Sequence, residues 1–392
     1  MGDVAVERTT EQLVHQYFSL GFEHKEILNY LKILHNRCIS LRTLKRILAK
    51  LHLYRRKHFS NIEDVVRFME GEIEKGSQLH GYRWFHLKCL QNDLVVSQSI
   101  VRELLCYLDP HGMELRKRKR LRRRQYSNKG PNYLWHMDSY DKLKPYGICI
   151  NGCIDGFSRQ IIWLQAGPSS SDSKVIGGYY MNALKMIKGC PKTLRSDFGT
   201  ENTLVERMQK ALHQTFNEAT SERPPFLYGS STHNQRIEAW WSILRKHNAQ
   251  FWINLFEMLR DDNLYDGTFL DKSLVQFCFM QLVQRDLDEV VLEWSVHKIR
   301  PSRNSNSPSG RPCIMFEMPS LYQTRSYLIE VPSFALDALS LDCLFQEYPC
   351  DEEFYQLCGI LMAENDLRAE NDPYSAIDLY MNLRRILKEI FV

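Results

Sequence analysis

The chain has 392 residues, of which 44% are hydrophobic and 25% charged. That length suits about two or three domains, and the composition excludes a wholly disordered chain. The net charge of +4 conceals an asymmetry: residues 331–392 hold twelve acidic against four basic side chains, which leaves +12 on the rest. A basic body with an acidic tail suits a nucleic-acid binder whose tail has a separate role. The eleven cysteines are scattered and include no Cys-x-x-Cys pair. No signal-peptide core or apolar run of membrane-spanning length is present, so a reducing compartment is expected, nuclear or cytosolic, with no membrane partner.

In chain order, Thr10 to Leu20 carries Leu13, Tyr17 and Leu20 on one side and is stopped by Gly21. A second helix is predicted over His24 to Leu34. A third runs from Leu41 to Leu51, with Ser40 as its N-cap. Its apolar face is Leu41, Leu44, Ile47, Leu48 and Leu51, and Arg42, Lys45 and Arg46 lie opposite. Three short helices with a basic last one resemble a helix-turn-helix, whose last helix enters the major groove. The alternative is a small bundle with a solvated basic face. Leu53-Tyr54-Arg55-Arg56-Lys57 is read as extending the basic surface, and this first DNA-binding unit is assigned to residues 1–58.

A second unit is assigned to residues 59–112. Ile62 to Lys75 has helical spacing, and Gly81-Tyr82-Arg83 leads on to Val96-Ser97 and a short helix. The pattern resembles the second helix-turn-helix found ahead of the core in bacterial insertion-sequence transposases. Ser97 is then the N-cap, with Gln98, Ser99 and Arg102 facing DNA. The linker at 113–129 contains Arg116, Lys117, Arg118, Lys119, Arg120, Arg122, Arg123 and Arg124, broken only by Leu121. Such a run repels itself too strongly to be core. It suits phosphate contact with strong salt dependence, and equally a nuclear-import signal.

Three acidic motifs organise the next stretch. Tyr133-Leu134-Trp135-His136-Met137-Asp138 and Leu194-Arg195-Ser196-Asp197 each place an aspartate after a short apolar run, at the expected end of a strand. Glu238 lies on a helix whose Ile237, Trp241 and Leu244 form an i, i+4, i+7 apolar stripe. Between these, Gly147 to Leu164 reads as a hairpin about Asp155-Gly156, where Asp155 is expected to be structural. A helix is predicted over Lys174 to Lys188, and a short parallel strand leads to Asp197. Glu201-Asn202 opens the following helix, with Asn202 placed to position water or phosphate. Three carboxylates on three rigid elements suit two divalent cations ~3.5–4 Å apart, the arrangement that cuts and joins phosphodiesters. Mg²⁺ or Mn²⁺ is the expected pair of ions.

The order Asp138, then Asp197-Phe198-Gly199-Thr200-Glu201-Asn202, then helical Glu238 is similar to the catalytic core of retroviral integrases and their transposase relatives. The resemblance covers roughly residues 131–248. It implies an α/β RNase H-like core, a five-stranded mixed sheet with helices, preceded by helix-turn-helix units and followed by a mainly helical C-terminal region. The core is assigned to 130–260 and the C-terminal region to 261–392. The 41 positions between Asp197 and Glu238 exceed the family's usual interval, which is read as a small insertion near 222–231. Tyr228-Gly229-Ser230-Ser231 is expected to be a mobile loop that seats DNA ends. Arg236, Arg245 and Lys246 are the chosen phosphate contacts on the Glu238 helix; Ser242 and Arg245, four and seven positions beyond Glu238, are expected to share its face.

Phe251 to Arg260 and Leu270 to Trp294 are expected packing helices. The Pro/Ser/Gly-rich loop from His297 to Pro312, taken with the core, resembles eukaryotic integrase-core proteins derived from mobile elements. The retroviral His-His-Cys-Cys zinc module and C-terminal SH3-like barrel are both missing, which favours a transposase-type relative. The expected function is Mg²⁺- or Mn²⁺-dependent DNA cleavage and strand transfer by Asp138, Asp197 and Glu238, as a homo-oligomer on DNA in the nucleus. The alternatives are a domesticated, catalytically silent DNA-binding protein and hydrolysis of an RNA–DNA hybrid.

Overall fold

The computed structural model describes residues 8–74, 80–110, 128–216, 223–229, 234–301, 308–369 and 371–391. The chain divides into two compact units, one of 1–123 with 296–298, the other of 124–295 with 299–392. The basic run at 116–124 lies outside the described residues.

In the first unit, α1 (Thr10–Ser19) starts at Thr9, whose side chain and that of Gln12 close a capping box. Gly21, at φ +83°, takes the left-handed turn into α2 (His24–Ile33). The third helix, α3 (Leu41–Lys50), is capped by Ser40 Oγ, which accepts from the Thr43 N–H at 3.1 Å. Leu44 and Leu48 are buried, while Arg42, Lys45 and Arg46 are exposed. Arg55 departs from expectation. It donates to the Phe22 carbonyl at 3.2 Å and lies 4.2 Å over the Phe18 ring, so it braces the bundle rather than widening its basic surface. Three more helices follow, α4 (Ile62–Glu74), α5 (Tyr82–Gln91) and α6 (Gln98–Leu108). They close on Val65, Met69, Phe85, Cys89, Val101 and Leu105. Ser97 caps α6, accepting from the Ile100 N–H at 3.3 Å, and Gln98, Ser99 and Arg102 are exposed.

The second unit is built on a five-stranded mixed sheet in the order β3-β2-β1-β5-β6. Strands β1 (Trp135–Tyr140), β2 (Cys149–Asp155) and β3 (Ile161–Gly167) are antiparallel neighbours. Helix α7 (Ser173–Ile187) follows, and β4 (Gly189–Cys190) pairs separately with β7 (Ile329–Glu330). Strand β5 (Leu194–Ser196) lies parallel to β1, and β6 (Phe226–Tyr228) parallel to β5. The stretch read as an insertion therefore carries the fifth strand; 217–222 and 230–233, with half of the expected mobile loop, lie outside the described residues.

Successive side chains on a strand point to opposite faces, and that alternation sorts the residues of β1. Trp135 and Met137 join a core with Tyr180 and Leu184 of α7 and with Val205 and Met208 of α8 (Thr203–Phe216). His136, Asp138 and Tyr140 face the other side, where α9 (Gln235–Leu244) lies. Beyond α9 come a five-residue π turn at Arg245–Ala249, α10 (Gln250–Asp261), α11 (Phe269–Val296) and the short α12 (Pro312–Glu317). The acidic C-terminal region forms α13 (Ser333–Ser340), α14 (Glu352–Glu364) and α15 (Pro373–Phe391). It is not a free tail: Arg384 donates to Asp271 at 2.8 Å and the Tyr380 hydroxyl to the Leu264 carbonyl at 2.9 Å. Among the described residues no helix is long and apolar enough to cross a membrane.

Candidate functional site

Asp138 sits within β1 rather than at its end, since the strand continues to Tyr140. Its partner across β2 is Gly152, and that glycine has a steric purpose. A Cβ there would stand 2.8 Å from Cη2 of Trp241 and 3.1 Å from Leu164 Cδ1. The bare backbone lets the Trp241 indole reach over the sheet, where its N–H donates to Asp138 Oδ2 at 2.9 Å. The Tyr140 ring, 5.4 Å from that of Trp241, flanks the indole. The apolar stripe of α9 thus also supplies a polar contact, a role its spacing alone does not disclose.

A second clamp joins α9 to β1. Asn234, 1% exposed at the start of α9, donates through Nδ2 to the Met137 carbonyl at 2.8 Å. Its Oδ1 lies 2.8 Å from His136 Nδ1, so the imidazole donates and Nδ1 carries the proton. Burial drives the His136 pKa down to about 3, which leaves the ring neutral. The helix that carries Glu238, four residues beyond Asn234, is therefore tied to β1 by two side-chain bonds. Neither clamp was legible in the motifs.

Asp197 follows β5 directly, at the carboxyl end of a parallel strand. The loop after it is tight. A Cβ on Gly199 would collide with the Glu201 carboxylate, which folds back over the glycine. Asn202, buried, donates to Glu201 Oε1 at 2.9 Å and lies 3.5 Å from Asp197 Oδ1, so it spans the two acids.

The three acids share one electrostatic field. Burial pushes the Asp138 carboxyl up to about 7; the Trp241 N–H opposes this, while Asp197 and Glu238 add to it. Glu238 is raised as well, by burial and then by Asp197. A divalent cation would relieve the repulsion that these like charges add to burial at Asp138 and Glu238. Their oxygens are also the hard donors that Mg²⁺ takes. No group of three His, Cys, Asp or Glu side chains among the described residues is, however, arranged to hold a metal ion as it stands.

The remaining chosen residues fall in different settings. Arg236 Nε donates to the Gly156 carbonyl at 3.1 Å, which ties it to the β2–β3 turn. Arg245 and Lys246 are exposed in the π turn, and Arg245 Nε donates to Gln250 at 2.9 Å. The Arg245 N–H still donates to the Trp241 carbonyl, the ordinary α-helical step, and the wider π turn opens from that residue onward. Arg245 still lies close enough to lower the pKa of the Tyr140 hydroxyl, against the larger effect of burial. Asp155 is the structural residue of the hairpin: its carboxylate accepts from the N–H groups of Asn132, Phe157 and Ser158 and from the Ser158 hydroxyl.

No curated protein matches the chain. The family described as Integrase core domain matches residues 125–321, half of the 392-residue chain. The matched span runs from ahead of β1 through the five-stranded sheet and α9 to α12, and ends before α13. With its five-stranded mixed sheet, its RNase H-like layering and that match, the chain belongs to the integrase core domain family.

Proposed function

We propose that the chain is a divalent-cation-dependent polynucleotidyl transferase that cleaves DNA and joins the freed end to a target. Asp138, Asp197 and Glu238 are the catalytic residues and would hold two Mg²⁺ or Mn²⁺ ions. The observation that carries this reading is the integrase core domain match, within which Asp197 and Glu238 lie near enough to Asp138 to add to the rise that burial gives its carboxyl. When bound, the ions supply Lewis-acid activation of the attacking oxygen and stabilise the leaving one. The Trp241 N–H orients Asp138, and Asn202 steadies Asp197. Arg236, Arg245 and Lys246 meet phosphates. Arg42, Lys45 and Arg46 on α3, with Gln98 and Arg102 on α6, bind DNA, and the run at 116–124 tracks the backbone and serves nuclear import. The division into units at 1–58, 59–112, 113–129, 130–260 and 261–392 follows these roles. Joining two DNA ends requires a homo-oligomer.

A second reading, a catalytically silent DNA-binding protein, draws on the finding that no three ligating side chains among the described residues are arranged around one ion. Gel-shift and cleavage assays on one purified preparation separate the two. Asp197→Asn and Glu238→Gln should abolish Mn²⁺-dependent cleavage and leave DNA binding intact. Cleavage that survives both changes refutes the catalytic assignment, and binding by the unaltered chain without any cation-dependent product supports the silent reading.

A further inference from the structure

Phe198 stands immediately after Asp197, and its large apolar ring is 77% exposed. Leaving such a ring in water forgoes its burial energy, roughly 25 cal/mol for each Å² of apolar surface. The ring is not loose. It stacks on Tyr228 with centroids 5.5 Å apart and planes 12° from parallel. Tyr228 is in turn held by its hydroxyl, which donates to Glu206 Oε2 at 2.7 Å, and by the Phe226 ring at 5.0 Å. The apolar feature is narrow: Phe198 is followed by Gly199, Thr200 and Glu201, a glycine and two polar residues, and the ring it stacks on, Tyr228, is half-buried and bonded through its hydroxyl to Glu206. A protein partner's apolar face would need a broader patch than that. A flat ring fixed beneath by a second ring and open above matches the face of a single nucleobase, and base–aromatic stacking accepts any of the four bases.

We propose that Phe198 is a stacking platform for a base of single-stranded or frayed DNA, which seats the nucleotide beside the phosphodiester presented to Asp197. This inference rests on the polynucleotidyl-transferase reading and deepens it: the site takes an unpaired end rather than an intact duplex. Phe198 is a positioning residue and touches no reacting atom.

The test uses the full chain in EDTA, so that nothing is cut, with an oligothymidine carrying one 2-aminopurine and a duplex of the same length as probes. The unaltered chain should quench the 2-aminopurine on binding. Phe198→Ala should weaken single-strand affinity about tenfold, abolish the quench and leave duplex affinity unchanged. Phe198→Trp should restore both signals, whereas Phe198→Leu should not. An unchanged melting temperature shows that each variant is folded, as expected for so exposed a side chain. Equal single-strand affinity and quenching in Phe198→Ala, or rescue by Leu as full as by Trp, would overturn the proposal. Because no cleavage is read, a chain that stacks the base yet never cuts DNA would sink the transferase reading alone.

Discussion

Asp155 and Asp138 occupy neighbouring strands, both are withdrawn from solvent, and the fold treats them in opposite ways. Asp155 is fully buried and accepts from three backbone N–H groups and a hydroxyl. Burial raises its pKa to about 6, and each of those donors pulls it back. Asp138 accepts the Trp241 indole N–H through Oδ2 and a backbone hydrogen bond from Ser139, two donors against four, and burial, with its acidic neighbours adding to it, carries its pKa to about 7. A carboxylate whose acceptor capacity is filled by its own chain has nothing left for a ligand. One left under-satisfied among like charges keeps oxygens in reserve for a cation, at some cost to the fold.

The largest expected effect tests the filled acid. Asp155→Ala leaves the Asn132, Phe157 and Ser158 amides buried without their acceptor and should cost about 3–5 kcal/mol in urea unfolding. A loss no larger than that of Asp138→Ala would erase the contrast.

Next in size is the pH dependence at the reserved acid. The folded pKa of Asp138, about 7, lies above its ordinary 3.8. Between those values the native chain keeps a proton that the unfolded chain has released, so this group's contribution to stability falls as pH rises through that window. Asp138→Asn cannot ionise. It should melt a few degrees above the unaltered chain at about pH 8 and level with it at about pH 4. Mn²⁺ should close the gap by stabilising only the chain that keeps the carboxylate, about 2.7 kcal/mol at a hundred times Kd. Equal melting at both pH values, or equal Mn²⁺ stabilisation of the variant, would refute an Asp138 held in reserve for a cation.

The smallest effect concerns the indole donor. Trp241→Phe retains a ring over Gly152 but removes the N–H, so stability should drop by about 1 kcal/mol. The Asp138 titration should move further upward, read by carboxyl NMR. A downward move would show that the indole does not hold that carboxylate.

Much of the fold was legible because its causes are local. Ser40 and Ser97 cap helices for the reason their positions announce, since a hydroxyl just before a helix can reach an unpaired N–H. Asp155-Gly156 turns a hairpin through its own side chain. Arg55 reads as surface charge in a one-dimensional string, and only the placement of Phe18 and Phe22 converts it into a brace. The π turn at 245–249 likewise escapes periodicity, because one changed hydrogen-bond step leaves the residue types as they were. The acidic C-terminal region suggested a separate tail, yet Arg384 ties α15 to Asp271 across more than a hundred positions.

The amino-acid order alone determined the kinds of elements, the face each one buries and the three acids worth watching, because propensity, capping and alternation act over a few neighbouring residues. The folded arrangement alone decided that Trp241 reaches Asp138 across Gly152 and that Asn234 locks α9 to β1. Those outcomes depend on distances between segments about a hundred residues apart, and such distances exist only once the sheet and its covering helix have packed together.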